Sequence, residues 1–374
     1  MPVIDRNESC SKKTQPPTSL RLPSLDGWRA ISIIMVIGGH SHVVAYCPGI
    51  QNLIFERIFR AEMGVRCFFF ISGLLITWLL IGERETTGRV SLRHFYIRRA
   101  LRILPVYFTF LGVLWCLHLF TPFTQSRLNW IGNLTFTSNL FATSWTSGHL
   151  WSLAVEEQFY LLWPVILVAA GLAKNPRRAL ICLCVPLLIA PMWRVISYKQ
   201  FYPPGLGIAF TQTSFFNYFD CLAVGCLCAF LLKFWRTTVE TCVIARPAIA
   251  AGVGLAVLAL SQSLFLLHLP GRIVIGSTNS LQSLGFGLLL LQSVLLPQAG
   301  LYPVLNWKWV RHLGVLSYSI YIWQQIFCTK PATFGLGQVW WMSFPGWLFS
   351  ALLVAHISYY ALERPLLKLR SYFR

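Results

Sequence analysis

Long apolar stretches separated by short polar breaks run through the whole chain, and this pattern predicts membrane-crossing helices. A spanning helix needs about 20 predominantly apolar residues. Ten segments fit: 28–47, 64–82, 103–121, 151–173, 179–196, 217–234, 247–267, 280–298, 313–329 and 345–362. Two are interrupted, 179–196 by Pro186 and Pro191, and 217–234 by Asp220 near its start. Prolines are tolerated in membrane helices where neighbours re-satisfy the freed backbone groups. The expected fold class is an all-α polytopic membrane protein with about ten transmembrane helices. Residues 1–27 read as a cytoplasmic N-terminal tail and 28–374 as one transmembrane domain with a short cytoplasmic C-terminus. No internal repeat and no soluble domain is visible.

Composition narrows the class. Of 374 residues, 56% are hydrophobic and 11% charged, with mean hydropathy +0.60. An ordinary soluble domain carries roughly 25% charged residues, and a compact soluble chain cannot hide so much apolar surface. The formal charge of +19 invites a nucleic-acid reading. The placement of the charges argues against it. With the N-terminus inside, 22 of the 31 Lys and Arg fall in cytoplasmic segments and eight in outer ones, with Arg29 at the first boundary. That asymmetry follows the positive-inside rule, puts both termini in the cytoplasm and needs no nucleic-acid partner. The 11 cysteines form no CxxC pair, so neither a zinc site nor a disulfide framework is expected. No cleavable signal peptide is expected in the polar, Pro-containing residues 1–27.

Ionisable groups within a bilayer cost several kcal/mol and are functional candidates by default. The first segment carries Asp26, Arg29 and His40. Arg29 and His40 lie eleven residues apart, close to three turns, so they share one face about 16 Å apart along the axis. Gly38 and Gly39 leave room for a helix or substrate beside the histidine, whose imidazole suits general-base work. An outer-interface histidine satisfied by a neighbouring hydroxyl or water is the blander alternative. In the fourth segment Ser152, Glu156 and Tyr160 recur at i, i+4 and i+8 on one face. The acidic pair Glu156-Glu157 lies among Trp, Phe and Tyr, where a solvated helix end explains one acid better than two. The run 93–102 brings Arg98, Arg99 and Arg102 onto adjoining faces. Arginine forks match phosphate geometry, and topology anchoring or anionic-lipid binding is the alternative. Ser72, with Gly73, marks a close approach. Asp220 is expected to contact a donor group, to pair with Arg66 or Arg194, or to cap its helix.

These segments together resemble the acyltransferase-3 family of integral membrane O-acyltransferases. The resemblance rests on RLPSLDGWRAISIIMVIGGHSH (21–42), GVRCFFFISGLLIT (64–77), FYIRRALRILPVYF (95–108) and LWSLAVEEQFYLLWP (150–164), and more weakly on 219–230, 316–325 and 361–369. It covers nearly the whole chain in order. It implies a cytoplasmic acyl-CoA donor, acetyl-CoA favoured, used as a substrate with no permanently bound cofactor or metal. It also implies a glycan or glycolipid acceptor such as an exopolysaccharide or lipopolysaccharide, in a multi-pass protein of the bacterial cytoplasmic (inner) membrane. Membrane lipids are expected partners. The acyl group is expected to be delivered by the membrane domain or handed to a polysaccharide-synthesis partner.

The family's Arg-x10-His pattern maps onto Arg29 and His40, its Arg-x-x-Arg pattern onto Arg99 and Arg102, and its WSLxxEE glutamate onto Glu156. One departure is that Gln324 stands where many members have histidine. In the resulting expectation His40 is the general base and Glu156 supports the imidazole. Arg98, Arg99 and Arg102 meet the donor phosphates, Arg29 contacts the donor or holds Asp26, and Ser72, Ser152 and Asp220 support the site. The rival reading is a transporter or flippase of a glycan precursor with His40 and Glu156 as a proton relay. Two weaker ones are a serine nucleophile built from His149, Ser152 and Glu156, and a structural export subunit.

Overall fold

The computed structural model describes residues 22–41, 59–141, 144–200, 213–264 and 271–373. Among them the only regular structure is helical. We number the ten principal helices α1 (Leu25–Ser41), α2 (Ala61–Thr87), α3 (Leu92–Phe120), α4 (Leu150–Ala169), α5 (Pro176–Gln200), α6 (Phe215–Phe234), α7 (Pro247–Ser263), α8 (Gly271–Leu295), α9 (Lys308–Phe327) and α10 (Gly346–Ser358). Each falls on one of the ten apolar segments. The end of the first segment (42–47), the end of the seventh (265–267), most of the N-terminal tail (1–21) and most of the loop 197–216 lie outside the described residues.

Six helices are individually long and apolar enough to cross a membrane: α2, α3, α4 with the turn before it, α5, α6 and α8. A seventh span exists if Arg236–Ile244 and α7, bent 90° to one another, are taken as one. The other three fall short for identifiable reasons. Helix α1 is 17 residues long within the described chain, and α9 opens on Lys308, Arg311 and His312 and ends on Gln324 and Gln325. Helix α10 has 13 residues and runs into a π-helical turn, Tyr359–Glu363.

The hairpin between α2 and α3 is set by local chemistry. Gly88 closes α2 in the left-handed region (φ 77°), and the Ser91 side chain accepts from His94 N to start α3. The Glu83 carboxylate then accepts from Ser91 N at 2.9 Å and from Arg98 at 2.6 Å.

Helices α2 and α6 form the buried centre, each with 72% of its apolar window buried, against 28% for α5. They touch through glycines: a Cβ on Gly73 would lie 2.1 Å from the Leu222 carbonyl, and one on Gly225 2.1 Å from the Phe70 carbonyl. Small residues let membrane helices approach this closely. A second fastening joins α5, α6 and α8. Arg194 forks onto both oxygens of Asp220 at 3.1 and 2.8 Å, and also donates to the Asn217 and Gly276 carbonyls and to Ser280 Oγ. Both partners are almost fully buried. Asp220 is thus an interior ion-pair partner of Arg194, with Ser280 completing the set, and neither caps a helix nor reaches the cavity described below. Arg194, counted from the sequence as an outer-side charge, lies inside the bundle.

Two predictions follow from these contacts. Gly225→Val should lower stability by about 3 kcal/mol, at the upper end of overpacking costs, while Gly112→Ala, with open space around its Cβ position, should leave it unchanged. Thermal unfolding of the detergent-purified protein by intrinsic fluorescence measures both. Arg194→Met should cost about 3–5 kcal/mol by leaving Asp220 buried and unpaired. The double variant Arg194→Met/Asp220→Leu should recover most of that loss in the same assay.

Candidate functional site

A cavity of about 70 Å³ lies among α1, α2, α3, α4 and α9. Its wall carries Arg29 from α1, Ser72 from α2, Arg99 and Arg102 from α3, Ser152, Glu156 and Tyr160 from α4, and Ser317, Tyr318 and Tyr321 from α9. The i, i+4, i+8 spacing on α4 therefore does place Ser152, Glu156 and Tyr160 on one face, and that face is the cavity wall.

Glu156 is held by two hydroxyls. Its Oε1 accepts from Ser72 Oγ at 2.8 Å and its Oε2 from the Tyr160 hydroxyl at 3.1 Å, while the two hydroxyls are 2.9 Å apart. A carboxylate so held keeps its orientation inside a low-dielectric wall. Both carboxylate oxygens of Glu156 are thus engaged, by Ser72 and by Tyr160. The side chain at His40 Nδ1 is the amide of Gln324, with Nε2 at 2.9 Å and Oε1 at 3.1 Å. The Trp145 ring packs edge-on against the imidazole at 5.5 Å, and Cys328 Sγ lies 3.1 Å from the His40 carbonyl. His40 is not part of the cavity wall. It sits further along α1, about 16 Å from Arg29 along the axis.

The arginines divide. Arg99 and Arg102 face the cavity with Arg29. The Arg99 guanidinium lies 5.0 Å from the Tyr160 ring centroid and 5.7 Å from that of Phe95. Arg102 makes no hydrogen bond or ion pair within the described residues. Arg29 has Asp26 at 3.9 Å, one turn earlier on α1, at the outer limit of an ion pair. Arg98, grouped with Arg99 and Arg102 by sequence, points elsewhere: it is bound to Glu83 and to the Phe373 carbonyl, both at 2.6 Å. Successive positions on a helix diverge by about 100°, and here Arg98 turns to Glu83 and Phe373 while Arg99 turns to the cavity.

The serine-nucleophile reading finds no support in the bonding. Ser152 Oγ is 2.5 Å from the Tyr321 hydroxyl and 3.1 Å from the His149 carbonyl, whereas His149 Nε2 faces the Ile322 carbonyl at 3.0 Å. No base addresses the serine. Among the described residues no group of three or more His, Cys, Asp or Glu side chains is placed to hold a metal ion.

Sequence reasoning left Ser317, Tyr318, Tyr321 and Tyr160 off the candidate site, and it read Gln324 only as a departure from a pattern. The available signal was the polar and aromatic stripe at 317, 318, 321, 324 and 325 of an otherwise apolar segment, which recurs at helical spacing. Glu363, in the π-helical turn, is a further buried acid bonded to Ser319.

Comparison with known proteins agrees with this architecture. A family model described as an acyltransferase domain matches residues 22–363. The chain is 27% identical to the peptidoglycan O-acetyltransferase OatA of Listeria monocytogenes, over 83% of this chain and 50% of that protein. It is 27% identical to the putative peptidoglycan O-acetyltransferase YrhL of Bacillus subtilis, over 92% of this chain and 55% of that one. It is 26% identical to the O-acetyltransferase OatA of Staphylococcus aureus, over 93% and 57% respectively. The chain thus spans about half the length of these curated relatives. No solved structure matches it significantly. A family model covering almost the whole chain, laid over a bundle of apolar helices around a polar cavity, identifies this integral membrane protein as a member of the acyltransferase-3 family.

Proposed function

We propose that this protein transfers an acyl group, acetyl first among the candidates, from acyl-CoA to a hydroxyl of a saccharide. The observation that carries the reading is the cavity in which three guanidinium groups from two helices meet a carboxylate held by two hydroxyls. Three cations gathered around one carboxylate are costly within a membrane unless an anion joins them, and arginine forks suit phosphate oxygens. The phosphates of CoA are anions of the right kind.

In this reading all ten helices cross the bacterial cytoplasmic membrane and both termini are cytoplasmic. Arg29, near the start of α1, then lies toward the inner side, with Arg99 and Arg102 in the first three turns of α3. His40, at the far end of α1, lies toward the outer side. The thioester reaches from the arginine end past Tyr321 toward His40. The imidazole takes the proton of the saccharide hydroxyl as its oxygen attacks the thioester carbon. The C–S bond breaks, and the leaving thiolate takes the proton to give CoA and the ester. Glu156 acts lower in the cavity, where with Arg99 and Arg102 it shapes the donor site. The acceptor class follows the relatives, whose names specify peptidoglycan, so a peptidoglycan-type glycan is the first acceptor to test, ahead of exopolysaccharide or lipopolysaccharide.

The test is thiol release from acetyl-CoA by the detergent-purified full chain, with muramidase-solubilised peptidoglycan fragments as acceptor. Acceptor-dependent release is expected, and His40→Ala should reduce kcat by about 10²–10⁴, the usual contribution of a general base. Release that ignores the acceptor, or is equal in wild type and His40→Ala, would overturn the reading. Arg102→Ala should raise the KM for acetyl-CoA about tenfold, equivalent to about 1.4 kcal/mol. Arg98→Ala should leave that KM unchanged and lower the melting temperature instead, because its partners are Glu83 and the Phe373 carbonyl. Equal KM effects from the two variants would remove the assignment of the donor site to the cavity face of α3.

A further inference from the structure

The amide of Gln324 is fully buried and, among the described residues, its side-chain hydrogen-bond partner is Nδ1 of His40, 284 positions away in the chain. A glutamine amide has a donor end and an acceptor end, and each has a different consequence for the ring. If the amide nitrogen donates to Nδ1, the neutral ring carries its proton on Nε2 and its lone pair is occupied. If the amide oxygen accepts from Nδ1–H, the lone pair is on Nε2. Only the second arrangement leaves the imidazole able to take a proton, and it persists when the ring becomes cationic, because Nδ1–H keeps its acceptor throughout. We infer that Gln324 is the positioning residue of the transfer step: both ends of its amide lie within hydrogen-bond distance of Nδ1, and with the carbonyl oxygen accepting from Nδ1–H it makes Nε2 the basic nitrogen. This inference rests on the reading of His40 as general base.

Gln324 is the side chain that meets Nδ1 of His40 among the described residues. From α9 the other group at His40 is Cys328, whose sulfur meets the backbone carbonyl of His40 and not its ring. Trp145, from the turn before α4, offers only the edge contact of its ring, its indole N–H being bound to the Cys328 carbonyl at 2.7 Å. His149, an electrostatic neighbour of His40, has its Nε2–H committed to the Ile322 carbonyl and its backbone N–H to the neighbouring glutamine, Gln325. From the start of α2, Arg60 and Glu62 flank Ala61, which packs on Gly39. Arg60 donates to Gln262. Among the described residues the ionisable groups of the elements packed near His40 include His149, Cys328, Arg60 and Glu62, and the ring contact at Nδ1 is an uncharged amide. A neutral acceptor sets the tautomer without the pull toward the cation that a carboxylate exerts. Consecutive residues of α9 thus hold two imidazoles separately, Gln324 by the ring and Gln325 by the backbone.

The test compares pH profiles of kcat/KM in the acetyl-CoA assay for wild type, Gln324→Glu, Gln324→Leu and His40→Ala. A carboxylate against Nδ1 stabilises the imidazolium, so Gln324→Glu should move the acid limb up by about one pH unit or more. Gln324→Leu removes the acceptor with little change in volume. It should cut kcat at least tenfold while the KM for acetyl-CoA stays within twofold, since Gln324 does not line the donor cavity. Acetyl-CoA binding by each variant reports that it has folded, and if Gln324→Glu fails that check the Leu variant carries the decision through its kcat-against-KM split. An acid limb that stays in place in a folded Gln324→Glu, or a Leu variant with wild-type kcat, overturns the inference. If His40→Ala is inactive while both Gln324 variants behave as wild type, only the positioning role fails. If His40→Ala is as active as wild type, the base assignment fails and the positioning role with it.

Discussion

The contact of α1 with α9 is the constraint on which the rest of the molecule depends. Near their starts the Asp26 carbonyl presses on Gly314 so closely that a Cβ there would lie 1.7 Å from the oxygen. Near their ends His40 meets Gln324. Contact at both ends in the same order means that the two helices run side by side in one direction. Helix α1 carries Asp26, Arg29 and His40 within its 17 described residues, and α9 carries a basic start and a polar stripe. Helices of this kind are poorly suited to lipid contact, and they become stable within a membrane by turning their polar faces to one another and to an interior cavity. Packing of α1 against α9 therefore determines both where the polar groups are buried and that they are buried together.

The remaining helices make that burial possible. Glycine contacts lock α2 to α6, and the Arg194–Asp220 pair with Ser280 ties α5, α6 and α8, so this part of the bundle presents a fixed wall. The contrast between the two charge sets is informative. Arg194 donates six hydrogen bonds to four residues within the protein, as a buried cation requires. Arg102, on the cavity wall, has none within the described residues, and Arg99 has aromatic faces in place of acids. A fold able to satisfy one arginine so fully leaves others under-satisfied only at a cost in stability, and such costs concentrate where a ligand is bound.

Much of this was legible in the sequence because it is local. Each of the ten apolar segments carries a helix within its described residues, and the shared faces of Ser152, Glu156 and Tyr160 and of Arg99 and Arg102 follow from helical spacing alone. Spacing cannot say what lies opposite a face. The separation of Arg98 from its neighbours depends on Glu83, placed by the Gly88–Ser91 hairpin, and on the far end of the chain at Phe373. The assignment of Glu156 to Ser72 and Tyr160, and of His40 to Gln324, depends on helix pairs far apart in sequence. Asp220 had three open readings, and only the crossing of α5 on α6 decided among them in favour of Arg194.

On the proposed acyl-transfer reading, the arrangement along the α1–α9 pair makes the site extended. Arg29 and His40 are fixed about 16 Å apart by the length of one helix, and the cavity that Arg29 lines is walled also by Tyr318 and Tyr321 of α9 and by the Glu156 face of α4. A rigid helix cannot bring its two ends together, so a substrate that engages both must itself be long, with its charge at one end and its reacting atom at the other. Acyl-CoA has that form, since its phosphates and its thioester are separated by a flexible, largely uncharged arm. A short anionic ester could satisfy the arginines or reach the histidine, but not both at once.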